Sequence, residues 1–215
     1  MKSTPLRILF LTLLMVLFAP MLNAADLGEQ IDIGLIIEPG ASHISGYLEV
    51  LAARKGVRSV AVAVSDKDML QNAKRQLGKR FYGNGFLSAK QMLAKVRPAL
   101  TVVTMEGVNA PAAIRAALQA GSHVLTEKPS CTKLDQFEEL AKLIASKKEG
   151  NPLTPVTVVT PSLFTGLFVR RQISASSGLV NVNFITMPRL AVLLGSSHLS
   201  EEGKSPLTPL MEMGC

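Results

Sequence analysis

The chain of 215 residues has no tryptophan, only 5% aromatic residues and two cysteines, Cys131 and Cys215. Two cysteines cannot make a disulfide framework, so the fold has to rest on an ordinary apolar core. Scarce aromatics also argue against a groove for single-stranded nucleic acid, which stacks bases on rings. The basic pairs Arg54-Lys55, Lys74-Arg75, Lys79-Arg80, Lys147-Lys148 and Arg170-Arg171 are dispersed and without aromatic interleaving, the pattern of solvated surface. Neither a nucleic-acid partner nor a metal site is expected.

A long apolar run is missing as well. About 20 apolar residues are needed to cross a bilayer, and the run at residues 8–18 is shorter. Lys2 and Arg7 precede it, and Pro20 and Leu22-Asn23-Ala24-Ala25 follow, the layout of a secretory leader cleaved near Ala24. There is no twin arginine before the run and no cysteine after it, so general (Sec-type) secretion is expected, to a periplasmic or extracellular destination. No membrane partner is expected after cleavage. Removal of residues 1–24 takes away Lys2 and Arg7 and lowers the formal charge from +7 to +5, a modest surplus. The roughly 190 residues left suffice for one full domain and part of another.

From residue 31 to residue 160 short apolar runs alternate with helical patterns. Strands are expected at 31–37, 59–64, 100–104, 123–125 and 156–160, with a weak one at 80–82. Helices are expected at 44–54, 68–77, 88–95, 111–120 and 134–147, the last with Thr132 and Asp135 in capping-box spacing. Short apolar strands separated by amphipathic helices indicate a parallel sheet covered on both faces. The expected fold class is therefore α/β, a Rossmann-like doubly wound sheet over residues 25–160, with ligands at the carboxyl ends of its strands. After Thr160 the texture changes to serine, glycine and proline, with one strand-like run at 179–187 and a low-pattern stretch at 196–209 that holds His198. Residues 161–215 are expected to begin an incomplete α+β domain.

The most informative local feature is His123-Val124-Leu125-Thr126-Glu127-Lys128-Pro129. A short strand runs into a charged pair that a proline holds in a turn, directly after an alanine-rich helix stopped by Gly121. Residues 113–129, AIRAALQAGSHVLTEKP, closely resemble the matching segment of the Gfo/Idh/MocA family of nicotinamide-dependent oxidoreductases. That resemblance implies NAD or NADP as cofactor and a sugar-like or polyol substrate, with a homo-oligomer in the full-length form. It places Lys128 beside the nicotinamide and a substrate hydroxyl, where its ammonium stabilises an alkoxide or shares the proton. Glu127 then orients the lysine or contacts the nicotinamide ribose.

Other positions match the family less well. A dinucleotide loop wants G-x-G-x-x-G or A after the first strand, whereas this chain has Glu38-Pro39-Gly40-Ala41-Ser42-His43. Gly40 keeps its place, but Glu38 puts a carboxylate near a pyrophosphate unless it points outward. Ala41-Ser42-His43 partly resembles an Asp-Thr-Ser-His variant of exported family members. There Ser42 and the following amides donate to the ligand and His43 faces the cleft, the alternative being that His43 simply caps the helix. Asp66 is expected on the adenosine ribose, with a helix N-cap as the competing role. Thr104 is expected to approach the cofactor through its backbone, and Asn109 to be an N-cap where the family has histidine.

Residues 168–187 resemble the family's passage into a large antiparallel substrate domain, and the terminal PLMEMGC resembles the approach to a helix carrying the acid/base histidine. A truncated chain without turnover is therefore expected. Two alternatives to an oxidoreductase are an exported, non-catalytic binder of a small polar ligand and a non-functional remnant.

Overall fold

The apolar run of β1 (Ile31–Ile37) is buried from Ile33 onward. Successive strand side chains point to opposite faces, so Leu35 and Ile37 enter one core while Ile36 enters another. The same division recurs in β2 (Val57–Ala63), where Val60 and Val62 oppose Ala61 and Ala63, and in β3 (Leu100–Thr104), where Val102 opposes Val103. Helices α1 (Ile44–Ala53) and α2 (Lys67–Leu77) cover the first face through Leu48, Leu51, Leu70 and Leu77. Helices α3 (Ala89–Val96) and α4 (Ala110–Gln119) cover the second through Met92, Leu93, Ile114 and Ala117. Each fully buried Leu or Val of this kind contributes about 1.5–3 kcal/mol.

These assignments come from a computed structural model, which describes residues 30–147, 150–151, 153–176, 180–201 and 203. The expected leader, the Ala24 cleavage site, the PLMEMGC segment and Cys215 lie outside the described residues. The first sheet has the order β2-β1-β3-β4, with β4 at His123–Thr126, and every pair is parallel. This is the doubly wound, Rossmann-like sheet expected. Because β2 and β3 flank β1 on opposite sides, their connections leave a crevice at the carboxyl ends of β1 and β3, where ligands of such sheets bind.

The structure departs from the sequence-based expectations in four places. The strand expected at 80–82 is a 3-10 turn, Gly78–Arg80, followed by two isolated parallel bridges, Val60 with Phe81 and Ala63 with Phe86. Gly83 and Gly85 lie between them at φ 57° and 74°, left-handed values that break an extended run. Second, β5 (Val156–Thr160) is not hydrogen-bonded to the first sheet; it pairs in parallel with β6 (Val182–Thr186) across helix α6 (Leu163–Ser176). Its alternating exposure suits a sheet covered on one side. The pairing of β6 is thus parallel, where the family resemblance implied an antiparallel opening.

Third, the Thr132–Asp135 capping box does not form. Lys133 is the N-cap of α5 (Leu134–Ser146), and the Thr132 amide donates to Gln136 Oε1 at 3.2 Å while Asp135 Oδ1 accepts from the Gln136 amide at 2.9 Å. Fourth, His198 lies in helix α7 (Met187–Glu201) rather than in a loop. Helix α5 joins the two parts of the described fold: Phe137, Ala141 and Ile144 pack with Val169 and Ile173 of α6 and with Phe184 of β6.

Candidate functional site

After β1 the chain reverses in the turn Glu38-Pro39-Gly40-Ala41, closed by the Ala41 amide donating to the Glu38 carbonyl at 3.1 Å. Proline second and glycine third, with Gly40 at φ 86°, is the pattern of a type II turn. A Cβ at Gly40 would meet nothing within 4 Å, so the conformation rather than a close approach requires glycine there. His43 then takes a left-handed conformation, φ 63° and ψ 10°, as N-cap of α1, and its side chain does not cap the helix. A non-glycine residue held there stores about 1–3 kcal/mol of strain. The conformation releases the imidazole toward β4.

Two carboxylates bridge the crevice. Glu38, at the end of β1, reaches the loop after β3, where Oε2 accepts from the Glu106 amide at 2.8 Å and Oε1 from Asn109 Nδ2 at 2.5 Å. The Glu38 amide donates to the Thr104 carbonyl at 3.1 Å, and Thr104 Oγ1 donates to the Ser42 carbonyl at 3.1 Å. Thr104 has no exposed surface. Thr104 thereby struts the β1–α1 loop from beneath. Asn109 holds the N-cap position of α4 without capping it, its side chain being engaged with Glu38.

The second carboxylate is Glu127, at the end of β4. Its Oε2 receives the Tyr47 hydroxyl at 2.9 Å and lies 3.2 Å from His43 Nδ1. Its Oε1 receives the Lys128 amide at 3.0 Å and lies 3.5 Å from Lys128 Nζ. The Glu127 side chain is 15% exposed and that of Lys128 80%. The Lys128 amide, with Tyr47, His43 and the lysine charge, pulls the Glu127 carboxyl down to about 2 against the opposing effect of burial. Burial and the hydrogen bond to Glu127 push the Tyr47 hydroxyl up to about 12, so the pair is a fixed donor and a fixed acceptor.

The turn itself is wedged in place. A Cβ on Gly107 would sit 2.7 Å from the Pro129 carbonyl oxygen and 3.0 Å from Thr132 Cγ2, so only glycine lets the β3–α4 loop pack against Pro129. Asp66 follows β2 and caps α2, with Oδ1 accepting from the Met69 amide at 2.8 Å. The structure thus brings Glu38, Ser42, His43, Thr104, Glu127 and Lys128 together around the crevice, with Gly40 in the adjoining turn, while Asp66 is engaged at the start of α2.

Sequence reasoning missed Tyr47 and the destination of the Glu38 side chain. Nothing local signals either, because both contacts are made across the crevice. Among the described residues no group of three or more histidine, cysteine or acidic side chains is placed to hold a metal ion.

Residues 34–151 match the GFO_IDH_MocA family, described as an oxidoreductase family with an NAD-binding Rossmann fold. No curated protein matches the chain in sequence. One similar solved structure is scyllo-inositol dehydrogenase from Lactobacillus casei with bound NAD(H) and scyllo-inositol, at 18% identity and TM-score 0.47, covering 70% of this chain and 51% of that one. Another is UDP-N-acetylglucosamine 3-dehydrogenase from Acidithiobacillus ferrooxidans, at 20% identity and TM-score 0.42, covering 57% and 35%. A third is a 3-ketoreductase from Actinomadura kijaniata in complex with TDP-benzene and NADP, at 25% identity and TM-score 0.44, covering 57% and 37%. The matched part spans about half of the first structure and less of the other two. The family match covers more than half of the chain and contains both the crevice and the Glu127-Lys128-Pro129 turn, and the protein belongs to the Gfo/Idh/MocA oxidoreductase family with its NAD-binding Rossmann fold.

Proposed function

We propose that this chain forms the nucleotide-binding part of an exported, NAD(P)-dependent oxidoreductase acting on a hydroxyl-bearing carbon of a sugar-like or polyol substrate. The observation that carries this is the placement of Lys128 at the carboxyl end of β4, next to the crevice, with a largely exposed ammonium and a neighbouring carboxylate held by four contacts. The start of α1 suits a phosphate group: its first turn has no side-chain cap, and Gly40 and Gly46 leave open space. Helix-start amides with open approach bind anions. Ser42 and those amides would hold the pyrophosphate, His43 would line the crevice, and Asp66 would reach the ribose with its second oxygen.

A bound nicotinamide supplies the carbon that accepts or donates hydride. The chain's own part is proton and charge handling. Lys128 Nζ stabilises the oxygen of the substrate as an alkoxide and shares its proton, and Glu127 orients that ammonium. Calorimetry with NAD and NADP, then assays on a panel of sugars and polyols, test the proposal. Lys128→Ala should retain nucleotide binding and lose turnover; turnover that survives the substitution overturns the role of Lys128.

The Glu38 carboxylate in the crevice favours a second reading, a binder of a small polar ligand without redox turnover. It is distinguished by polyol binding that neither NAD nor NADP strengthens. Export rests on residues 1–24, and N-terminal sequencing of secreted material should begin at Ala25 or within a few residues of it.

A further inference from the structure

We propose that Tyr47 is a positioning residue for Lys128, acting through the Glu127 carboxylate, with His43 as the second arm of the same grip. The proposal rests on the reading of Lys128 as the proton-handling group of the site. His43 and Tyr47 lie four residues apart, one at the N-cap of α1 and one in its first turn, and both side chains turn toward Glu127. Both meet the same oxygen, Glu127 Oε2, at 3.2 Å and 2.9 Å. The other oxygen, Oε1, meets only the Lys128 amide and Lys128 Nζ among the contacts of the described residues.

A carboxylate is planar, so fixing one oxygen fixes the bearing of the other. Lys128 has a flexible four-carbon stem that is 80% exposed, and by itself that stem samples many rotamers. The contact with Oε1 selects among them, and it can do so only if Oε1 is itself held still. The backing is rigid: the half-buried Tyr47 packs against the core on the α1–α2 face of the sheet. His43 adds to the grip when Nδ1 carries a proton.

The test uses the full chain with its lysine amines carrying 13C-dimethyl groups, which keep their charge. Lys128→Arg assigns the Lys128 resonance, and the side-chain carboxyl of Glu127 is titrated by carbon NMR. Tyr47→Phe keeps the packed ring and removes the hydroxyl. It should shift the Lys128 resonance while leaving the other lysine signals in place, and should raise the Glu127 midpoint from about 2 toward the ordinary 4.5. His43→Asn, which tolerates the left-handed backbone, should move both signals the same way by less, and it stands in if Tyr47→Phe does not fold. Both signals unchanged in a folded variant overturn the proposal.

In wild-type protein that turns over, Tyr47→Phe should lower kcat about tenfold, less than the ~10²–10⁴-fold that a placed proton-transfer group itself contributes, with nucleotide affinity unchanged. An unchanged kcat overturns the proposal too. If the wild-type protein binds neither NAD nor NADP, the oxidoreductase reading falls, and the two NMR signals still decide whether Tyr47 positions Lys128.

Discussion

Glu38 carries both a charge and a tether, and two substitutions separate them. In Glu38→Gln the charge is gone and one oxygen remains, but the new amide nitrogen faces a donor, either the Glu106 amide or Asn109 Nδ2, that the carboxylate had accepted from. Hydrogen bonds to charged groups contribute about 1.5–3 kcal/mol when shielded, and surface pairs about 0–1. For this half-exposed pair a loss of about 1 kcal/mol in stability is expected. Against that, removing a negative charge beside a pyrophosphate should tighten NAD binding by about 1–2 kcal/mol, roughly 5–30-fold in Kd.

Glu38→Gly removes the tether as well, and freeing a residue at the loop offsets about 0.5–1 kcal/mol of the gain. The order of affinity for NAD should therefore be Gln first, then Gly, then wild type. Calorimetry measures it, and repeating the titration at 1 M salt, where the Debye length falls to about 3 Å, should shrink the differences. Equal or weaker binding by a folded Glu38→Gln variant would refute the reasoning, because the charge would then not face the phosphate or no nucleotide site would exist.

Gly107→Ala places a methyl 2.7 Å from the Pro129 carbonyl oxygen, so chemical denaturation should show a loss of about 1–3 kcal/mol from overpacking. Asp66→Asn keeps an N-cap side chain and should change stability by only a few tenths of a kcal/mol, whereas Asp66→Ala should cost about 1. If Asp66 also holds the ribose, both variants lose preference for NAD over NADP in binding titrations. Glu127 has its pKa depressed to about 2 from 4.5, so the stability it contributes is fully present above pH 4.5 and is lost as pH falls toward 2. Denaturation midpoints for Glu127→Gln should lack that component of the acid-side decline, and identical pH profiles for variant and wild type would count against the Glu127 contacts.

The elements of the first sheet were legible because their signals are local. β1 and β3 have the bounds that their apolar runs predicted, and β2 begins only two residues earlier than expected. The Glu127-Lys128-Pro129 turn was legible for the same reason, being a contiguous motif after a strand. By contrast, β5 is a five-residue apolar run that suits either sheet, and its partner, β6, lies beyond an intervening helix. The weak apolar pattern at 80–82 runs directly into Gly83 and Gly85, whose left-handed backbone ends any extended run there.

By itself the sequence determined what depends on neighbours along the chain: the α/β alternation, the burial of β1 on both faces and the charged pair after β4. These follow from side-chain periodicity and turn chemistry, which act over a few residues. The tertiary structure alone decided where the side chains of the site point. Glu38 meets Glu106 and Asn109 across 68 and 71 residues, and Tyr47 and His43 meet Glu127 across 80 and 84. Those contacts exist because parallel pairing brings the carboxyl ends of β1, β3 and β4 to one edge. A carboxylate there takes the partners that packing delivers, and no local pattern encodes which of several donors will be within reach.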